Sequence, residues 1–533
     1  MKDKRSDLPI FGALILSFLS SCLIGRRLGA RGSAYFFCCY NWMLFFLFLF
    51  PAGAAGALKK LVGWRYEGGF YRSAHKIWRS AFVTCLVYAL LVLILWLGLG
   101  RGIGDSLLLG RSGEMPYMRM LILFVLDALT LVFMGYFDGI GASHFCSSVI
   151  FLRQLLEFIL LFIFAGRGMG KGRKIAELYK NQEILYTYEA AGVVLFCCIA
   201  AGACFLICLL FYLRERGELH HRFQRDSGKR RESPSGLLYS GAFPLCFFFL
   251  ALYSAEFLGM IIYCRSMRGS GSLLRAYQLG LYLGVYRVAA LLPFCIIFIL
   301  LSSSVSQVSA AVEGDHVAEL RVRMKSLSDL SALIAFQFAT FQLFLAGPVS
   351  SGLFGCDSAM ARRLLRFGAP CLLLSGFMLC AAMQLMMLKK IRELLLSALP
   401  ALAFSLALLF ILSGPDRLGI YALLPATGVF SLIMLVELLF FLKRSLRYVP
   451  DIRTALIFPA LVTLVPAICA MAVALLLGLF LPAPVQLIAA ILIHFPLSFV
   501  LAGKTGCINL YMLREVPLGK YLSAVGTRLH ILK

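Results

Sequence analysis

LPIFGALILSFLSSCLIGRRLGARGSAYFFCCYNWMLFFLFLFPAGAAGAL, residues 8–58, decides the fold class. Two apolar stretches, 8–28 and 34–57, are each long enough to cross a hydrocarbon core of ~30 Å as a helix. Between them stand Arg26, Arg27, Gly29, Arg31 and Gly32, a basic, glycine-containing turn. Lipid tolerates neither loose backbone nor unpaired charge, so such a turn belongs at the membrane surface.

The same pattern recurs along the 533 residues, of which 61% are hydrophobic and 14% charged, with a mean hydropathy of +0.88. A soluble domain of this length carries far more polar surface. Windows of ~20 residues place further spans at 80–99, 117–137, 143–165, 189–212, 237–263, 277–302, 328–354, 364–388, 393–413, 418–442, 454–481 and 484–502. The expected class is therefore an all-α polytopic membrane protein of about 14 transmembrane helices. Lys2, Lys4 and Arg5 precede the first span as in a signal peptide, but no small-residue cleavage site follows, so that span reads as a retained helix.

The formal net charge of +25 would suggest nucleic acid in a soluble protein. In a membrane chain it reads as positive residues kept inside. That places both termini in the cytoplasm and implies no nucleic-acid partner. The largest inner cluster is Arg214, Arg216, Arg222, Arg225, Lys229, Arg230 and Arg231. One outer loop, Arg167 to Lys180, carries five positive residues against the rule. Seventeen cysteines show no metal-like or redox spacing and read as small apolar residues inside spans. No metal site is expected, and tandem His220–His221 lacks carboxylate or thiol partners nearby.

The polar segment 214–236 divides six spans from eight. The expected organisation is an N-terminal lobe (1–213), a basic cytoplasmic linker (214–236), a C-terminal lobe (237–442) and an extra hairpin with a cytoplasmic tail (443–533). The first span ends CLIGRRLGARGS and the seventh IIYCRSMRGSGS, which suggests a parallel repeat about an axis along the membrane normal. The loop GGFYRSAHKIWRSAF (68–82) interleaves aromatics with cations and reads as an anchor at the membrane interface.

Several stretches together resemble a family. LGARGSAY (28–35), PAGAAGALKKLV (51–62), YRSAHKIWRSAF (71–82), YFDGIGASHFCSSVIFLRQLLE (136–157), SVSQVSAAVEGD (304–315) and LAGPVSSGLFG (345–355) resemble, in order and spacing, the polysaccharide transporters of the MOP (MATE-like) flippase superfamily. The nearest branch is that of stage V sporulation protein B and MurJ-like lipid II flippases. The resemblance runs through about the first 360 residues. It departs at Arg31, where the family often has an acidic residue, at Ser306, where it has a proline, and at Leu161, where it has an arginine.

The resemblance implies two pseudo-symmetric six-helix lobes around a central cavity, plus a C-terminal helix pair. It also implies export of a lipid-linked saccharide, lipid II or a polyprenyl-pyrophosphate oligosaccharide, across a bacterial plasma membrane. Cell-envelope biosynthesis enzymes would be neighbours in that process. Arginine suits a pyrophosphate because its planar fork pairs phosphate oxygens and keeps its charge when desolvated. The substrate-binding candidates are Arg26, Arg27, Arg265 and Arg287. Arg287 is foremost, since it lies within GLYLGVYRVAALLPF and related flippases carry a cavity arginine near this helix.

Intramembrane acids must be paired, protonated or hydrated. Glu256 and Asp127 are candidates for coupling to Na+ or H+. Arg153 and Glu157, four residues apart, read as an intrahelical pair, Glu437 has no local support for a role, and His494 reads as packed or interfacial. No catalytic residue, cofactor or phosphate-binding Gly-x-x-x-x-Gly-Lys loop is expected. The alternatives are a cation-coupled multidrug antiporter, a membrane glycosyltransferase, and a non-transporting scaffold.

Overall fold

The computed structural model describes residues 7–107, 114–164, 169–224, 226, 234–314, 317–515 and 519–528. Among them are helices and no strands. Thirteen continuous helical segments are long and apolar enough to cross a membrane. The first, Leu8–Glu67, has 60 residues. At ~1.5 Å per residue it is about three times the thickness of the hydrocarbon core. Two of the expected spans therefore share it, and the count of about 14 is met. The chain is a polytopic, all-α membrane protein.

The breaks inside that segment follow from its sequence. In α1 (Asp7–Leu49) the backbone leaves helical geometry at Gly29, φ 62° and ψ −177°, a conformation that costs a Cβ-bearing residue dearly. Phe50 is non-helical, and Pro51 opens α2 (Pro51–Glu67) at a position where its missing N–H is no loss.

The chain divides into two compact units. Unit 1 comprises 1–20, 31–257 and 270–277. In it α3 (Tyr71–Leu107) and α4 (Glu114–Gly139) pack on α2, while α5 (Ser143–Phe164), α6 (Met169–Leu178) and α4 pack on α7 (Gln182–Gln224). The small residues of PAGAAGAL are explained by close approach. A Cβ on Gly135 of α4 would sit 2.5 Å from the Ala55 carbonyl, and one on Gly53 2.3 Å from Cys246 Sγ in α8 (Pro234–Ser266). Such contacts bring helix backbones together where lipid supplies no hydrophobic drive. The YFDGIGAS turn joins α4 to α5: Asp138 accepts from Ser143 and pairs with Lys59, while Gly141 takes φ 92°.

The aromatic–cationic segment is helical from Tyr71 onward, as an interfacial helix would be. Tyr71 opens α3, and Ala74, Ile77 and Trp78 point into the unit. Trp78 stands 4.7 Å from Tyr212 and 5.2 Å from Tyr136, ring to ring. Arg72, Lys76 and Arg79 take the exposed side. The helix is amphipathic, with Trp78 inward and Phe70 and Tyr71 half-buried. In the same unit the basic segment continues α7 as helix as far as Gln224. Arg225, Lys229, Arg230 and Arg231 lie outside the described residues, as do the side chains of His220 and Arg222.

Unit 2 comprises 21–30, 258–269 and 278–533. The helix begun by α9 (Ser272–Leu281) runs through a wide π-type turn, Tyr282–Arg287, into α10 (Val288–Glu313). It packs with α11 (Val317–Phe344) and α13 (Ala359–Met387); α15 (Leu423–Leu446) lies on α13 and α14 (Ile391–Leu412), and α16 (Phe458–Leu477) on α11 and α17 (Ala483–Lys504). The span expected at 328–354 is shifted. α11 starts within the expected loop and ends at Phe344, and the short helix α12 (Ala346–Pro348) leads into a second π-type turn, Val349–Leu353. Pro348 has no N–H, and its ring clashes with the carbonyl of residue 344 in an unbroken helix. His494 of α17 is fully buried, its Nε2 3.0 Å from the Gln337 carbonyl of α11. It is packed rather than interfacial.

Segment 21–30 lies on the α9–α10 helix through paired glycines. A Cβ on Gly25 would be 3.2 Å from the Gly284 carbonyl, and one on Gly280 only 1.6 Å from that of Ala30. The spacing Gly280-x-x-x-Gly284 puts both on one helix face. Gly280→Ala should therefore lower stability by about 3 kcal/mol through overpacking. Gly269→Ala, which meets nothing within 4 Å, should stay within about 0.5 kcal/mol of wild type. Thermal unfolding of the detergent-solubilised variants checks both.

Candidate functional site

Unit 1 buries a three-charge cluster within the membrane-spanning part of its helices. Asp127 sits in the apolar run LFVLDALTLVF of α4, and Arg153 and Glu157 stand one turn apart on α5. Arg153 Nη2 donates to Asp127 Oδ2 at 2.8 Å, with the Asp127 side chain 6% exposed and that of Arg153 25%. Arg153 feels Glu157 on its own helix, as the spacing suggested, but its direct ion pair is with Asp127 and joins two helices. α4 presents a carboxylate squarely to α5, and a rigid guanidinium fork bonds where the geometry is direct. Cys197 of α7 and the phenol of Tyr40 on α1 lie in the field of these charges.

Asp127 Oδ1, Arg153 Nε and Gln154 Oε1 are buried without a protein hydrogen-bond partner. The cluster holds two carboxylates against one guanidinium, and a carboxylate buried in a membrane span must be paired, protonated or hydrated. Among the described residues no group of three or more metal-type side chains forms a metal site.

A second polar group in unit 1 lies where α1, α7 and α9 begin or bend. Arg31 Nη1 donates to Tyr186 Oη at 3.2 Å and its guanidinium stands 5.7 Å from that ring. Glu183 accepts from Ser272, and its main-chain N–H is capped by Asn181 Oδ1 at 2.9 Å. Tyr35, only 1% exposed, places its hydroxyl in the field of Glu183 and Arg275. Sequence reasoning missed Glu183 and Arg275 and noted Arg31 only as a departure. Charges at span ends read as ordinary interface residues, and only their approach across 155 positions of chain, for Arg31 and Tyr186, reveals the group.

The structure puts Arg26, Arg27, Arg265 and Arg287 all in unit 2, and Glu256 and Asp127 in unit 1. Arg26, Arg27 and Arg265 are exposed and Arg287 is half-buried. Within unit 2 the three segments that carry them touch. The 21–30 segment meets 278–287 at the glycines described above, and Tyr263 Oη donates to Gln278 Oε1 at 2.7 Å. Arg26 also lies against Gly355, which takes φ +62° just after the second π-type turn.

The π-type turn that ends in Arg287 is locked in place. The Tyr286 ring fills a notch at Gly368 of α13, where a Cβ would be 2.0 Å away, and Tyr286 Oη donates to the Gly368 carbonyl at 3.3 Å. Wide turns of this kind collect at functional positions because they re-aim a side chain. Glu256 is half-buried on α8, next to Phe257, whose ring stands 4.8 Å from that of Trp42. Glu437 is half-buried on α15 beside Val436 and Phe440, which are 59% and 61% exposed.

Arg153→Met should destabilise the protein by about 3–5 kcal/mol, because it strands two buried carboxylates. Adding Asp127→Leu should restore most of that loss. Thermal unfolding of the single and double variants in lipid nanodiscs measures the coupling.

No protein-family profile matches the sequence, and no curated protein matches it significantly. Solved structures do match. A multidrug resistance MATE family transporter of the MOP superfamily, inward-facing, aligns at TM-score 0.64 and 15% identity, covering 84% of this chain and 99% of the other. The lipid II flippase MurJ, inward closed, aligns at TM-score 0.65 and 13% identity, covering 94% and 99%. A MOP superfamily transporter from Pyrococcus furiosus, whose binding pocket is described as of reverse polarity, aligns at TM-score 0.54 and 13% identity over 84% and 99%. At these identities the likeness concerns architecture. The chain has the fold of the MOP superfamily, shared by MATE transporters and the MurJ flippase.

Proposed function

We propose that this protein is a membrane transporter that carries a lipid-linked saccharide from the inner to the outer leaflet by alternating access, with its pyrophosphate held by arginines. The observation that carries the reading is the extent of the fold likeness. The MurJ alignment covers 94% of the chain, whereas the MATE alignment covers 84%. The added tenth favours the flippase branch over the drug antiporters.

Charge supports the same choice. Arg26, Arg27, Arg265 and Arg287 stand on touching segments of unit 2. Arginine is the side chain for a doubly anionic headgroup that sheds water on binding. A cationic drug would call for carboxylates instead.

The mechanism needs no bond to be made or broken, so the protein acts as a carrier and not as an enzyme. Arg287, held by the Tyr286–Gly368 lock, takes the pyrophosphate, and Arg26, Arg27 and Arg265 add cations around it. The Asp127–Arg153–Glu157 cluster is the coupling element: gain or loss of one positive charge shifts its balance with Arg153 and with it the preferred state of unit 1. Glu256 is a second carboxylate available for the same cation. The setting proposed is a bacterial plasma membrane, with both termini in the cytoplasm and envelope-building enzymes supplying and consuming the substrate.

The test is headgroup flipping in proteoliposomes with a fluorescent polyprenyl-pyrophosphate saccharide. Wild type should flip it, and Arg287→Ala should reduce the rate at least ten-fold, a loss of about 1.4 kcal/mol or more. Arg287→Lys should fall between the two because it keeps charge but not the fork. Equal rates in all three proteins would remove Arg287 from the mechanism. No flipping by well-folded wild type, for several lipid-linked saccharides, would turn the reading toward drug antiport or a scaffold.

A further inference from the structure

The outer loop that defies the positive-inside rule folds into a helix with nowhere apolar to hide. α6 (Met169–Leu178) has ten residues, too few to cross a bilayer, and it lies in sequence between the spans of α5 and α7. It is therefore held at the membrane surface. Five crossings precede it, two within Leu8–Glu67 and one each in α3, α4 and α5, so by span order it lies on the side opposite the N-terminus.

Its fit to unit 1 is one-sided. Gly172 is buried, and a Cβ there would be 3.1 Å from Tyr188 Cβ of α7. Ile175 and Ala176 are half-buried, and the opposite side of the helix and its closing turn stand out. Arg173, Lys174, Glu177, Leu178, Tyr179 and Lys180 are all exposed, Leu178 by 77% and Tyr179 by 69%. The turn is well formed: Lys180 adopts φ 49°, and Asn181 N–H donates to the Ala176 carbonyl at 3.0 Å. Arg173 feels Glu189 of α7, whereas Lys174 and Lys180 flank the two projecting apolar side chains in sequence. Three cations against one acid, Glu177, border a leucine and a tyrosine. This is the composition of a helix that dips its apolar side chains among acyl chains and lays its cations on headgroup phosphates.

We propose that α6 and its turn form an interfacial site for anionic phospholipid headgroups, on the leaflet opposite the N-terminus. The site explains why basic residues persist there against the topological rule: they are retained by the lipid they hold. Its residues differ from the arginines proposed to hold the transported substrate.

The test uses the full chain in nanodiscs that contain either a photoreactive phosphatidylglycerol or a photoreactive phosphatidylcholine, with cross-links mapped by mass spectrometry. Each surface cation contributes roughly five-fold to headgroup affinity. Residues 172–181 should therefore be labelled at least ten-fold more by the anionic probe. Arg173→Gln/Lys174→Gln/Lys180→Gln should abolish that preference, while the charge-keeping Arg173→Lys/Lys174→Arg/Lys180→Arg should keep it. Arg72→Gln/Lys76→Gln/Arg79→Gln, at another basic surface, should leave it unchanged. Equal labelling by the two probes, or a preference that survives the triple glutamine variant, would overturn the proposal.

Discussion

Burying charge in a chain made of membrane spans is the constraint on which the structure turns. Where hydrocarbon surrounds a helix, a carboxylate or guanidinium persists only if another charge, a dipole or an exchangeable ion meets it. Unit 1 answers with Asp127, Arg153 and Glu157, drawn from two helices and bordered by Tyr40 and Cys197 from two more. The arrangement fixes α4 against α5 by a bond that has direction as well as strength. It also sets two carboxylates against one guanidinium, the imbalance on which the proposed coupling role rests.

Unit 2 meets the same constraint differently. Its arginines are kept at segment ends or in a re-aimed turn, and small residues do the work of packing. Gly25, Gly280 and Gly284 let two backbones meet, and Gly368 receives the Tyr286 ring. Helix association in lipid depends on such close fits, so the glycines position the basic side chains even though they carry no chemistry themselves. The link from sequence to function runs here through what is absent from a side chain.

Much of this was legible in the sequence. Apolar windows gave the membrane class and about 14 spans, and the Arg-Gly turn after residue 25 marked a real break at Gly29. The ordered motifs pointed to the fold that the solved structures share. Pairing across helices was not legible. Arg153 and Glu157 invite an i, i+4 reading, but α4 brings Asp127 26 positions away in sequence to 2.8 Å. Charges at span ends hid the Arg31–Tyr186 contact for a similar reason, since local spacing carries no information about a helix 155 residues on. The inward turn of Trp78 in the aromatic–basic segment was not legible either, because a packed amphipathic helix and an interfacial anchor share composition.

The central claim is that this fold serves an anionic, lipid-linked saccharide rather than a cationic solute. Calorimetric titration of the purified protein with a short-chain polyprenyl-pyrophosphate disaccharide, at low and high salt, tests it most directly. The account predicts saturable binding that weakens as salt screens the arginines and that a lipophilic cationic dye does not compete away. Absence of binding at either salt concentration, or displacement by the cation, would contradict it.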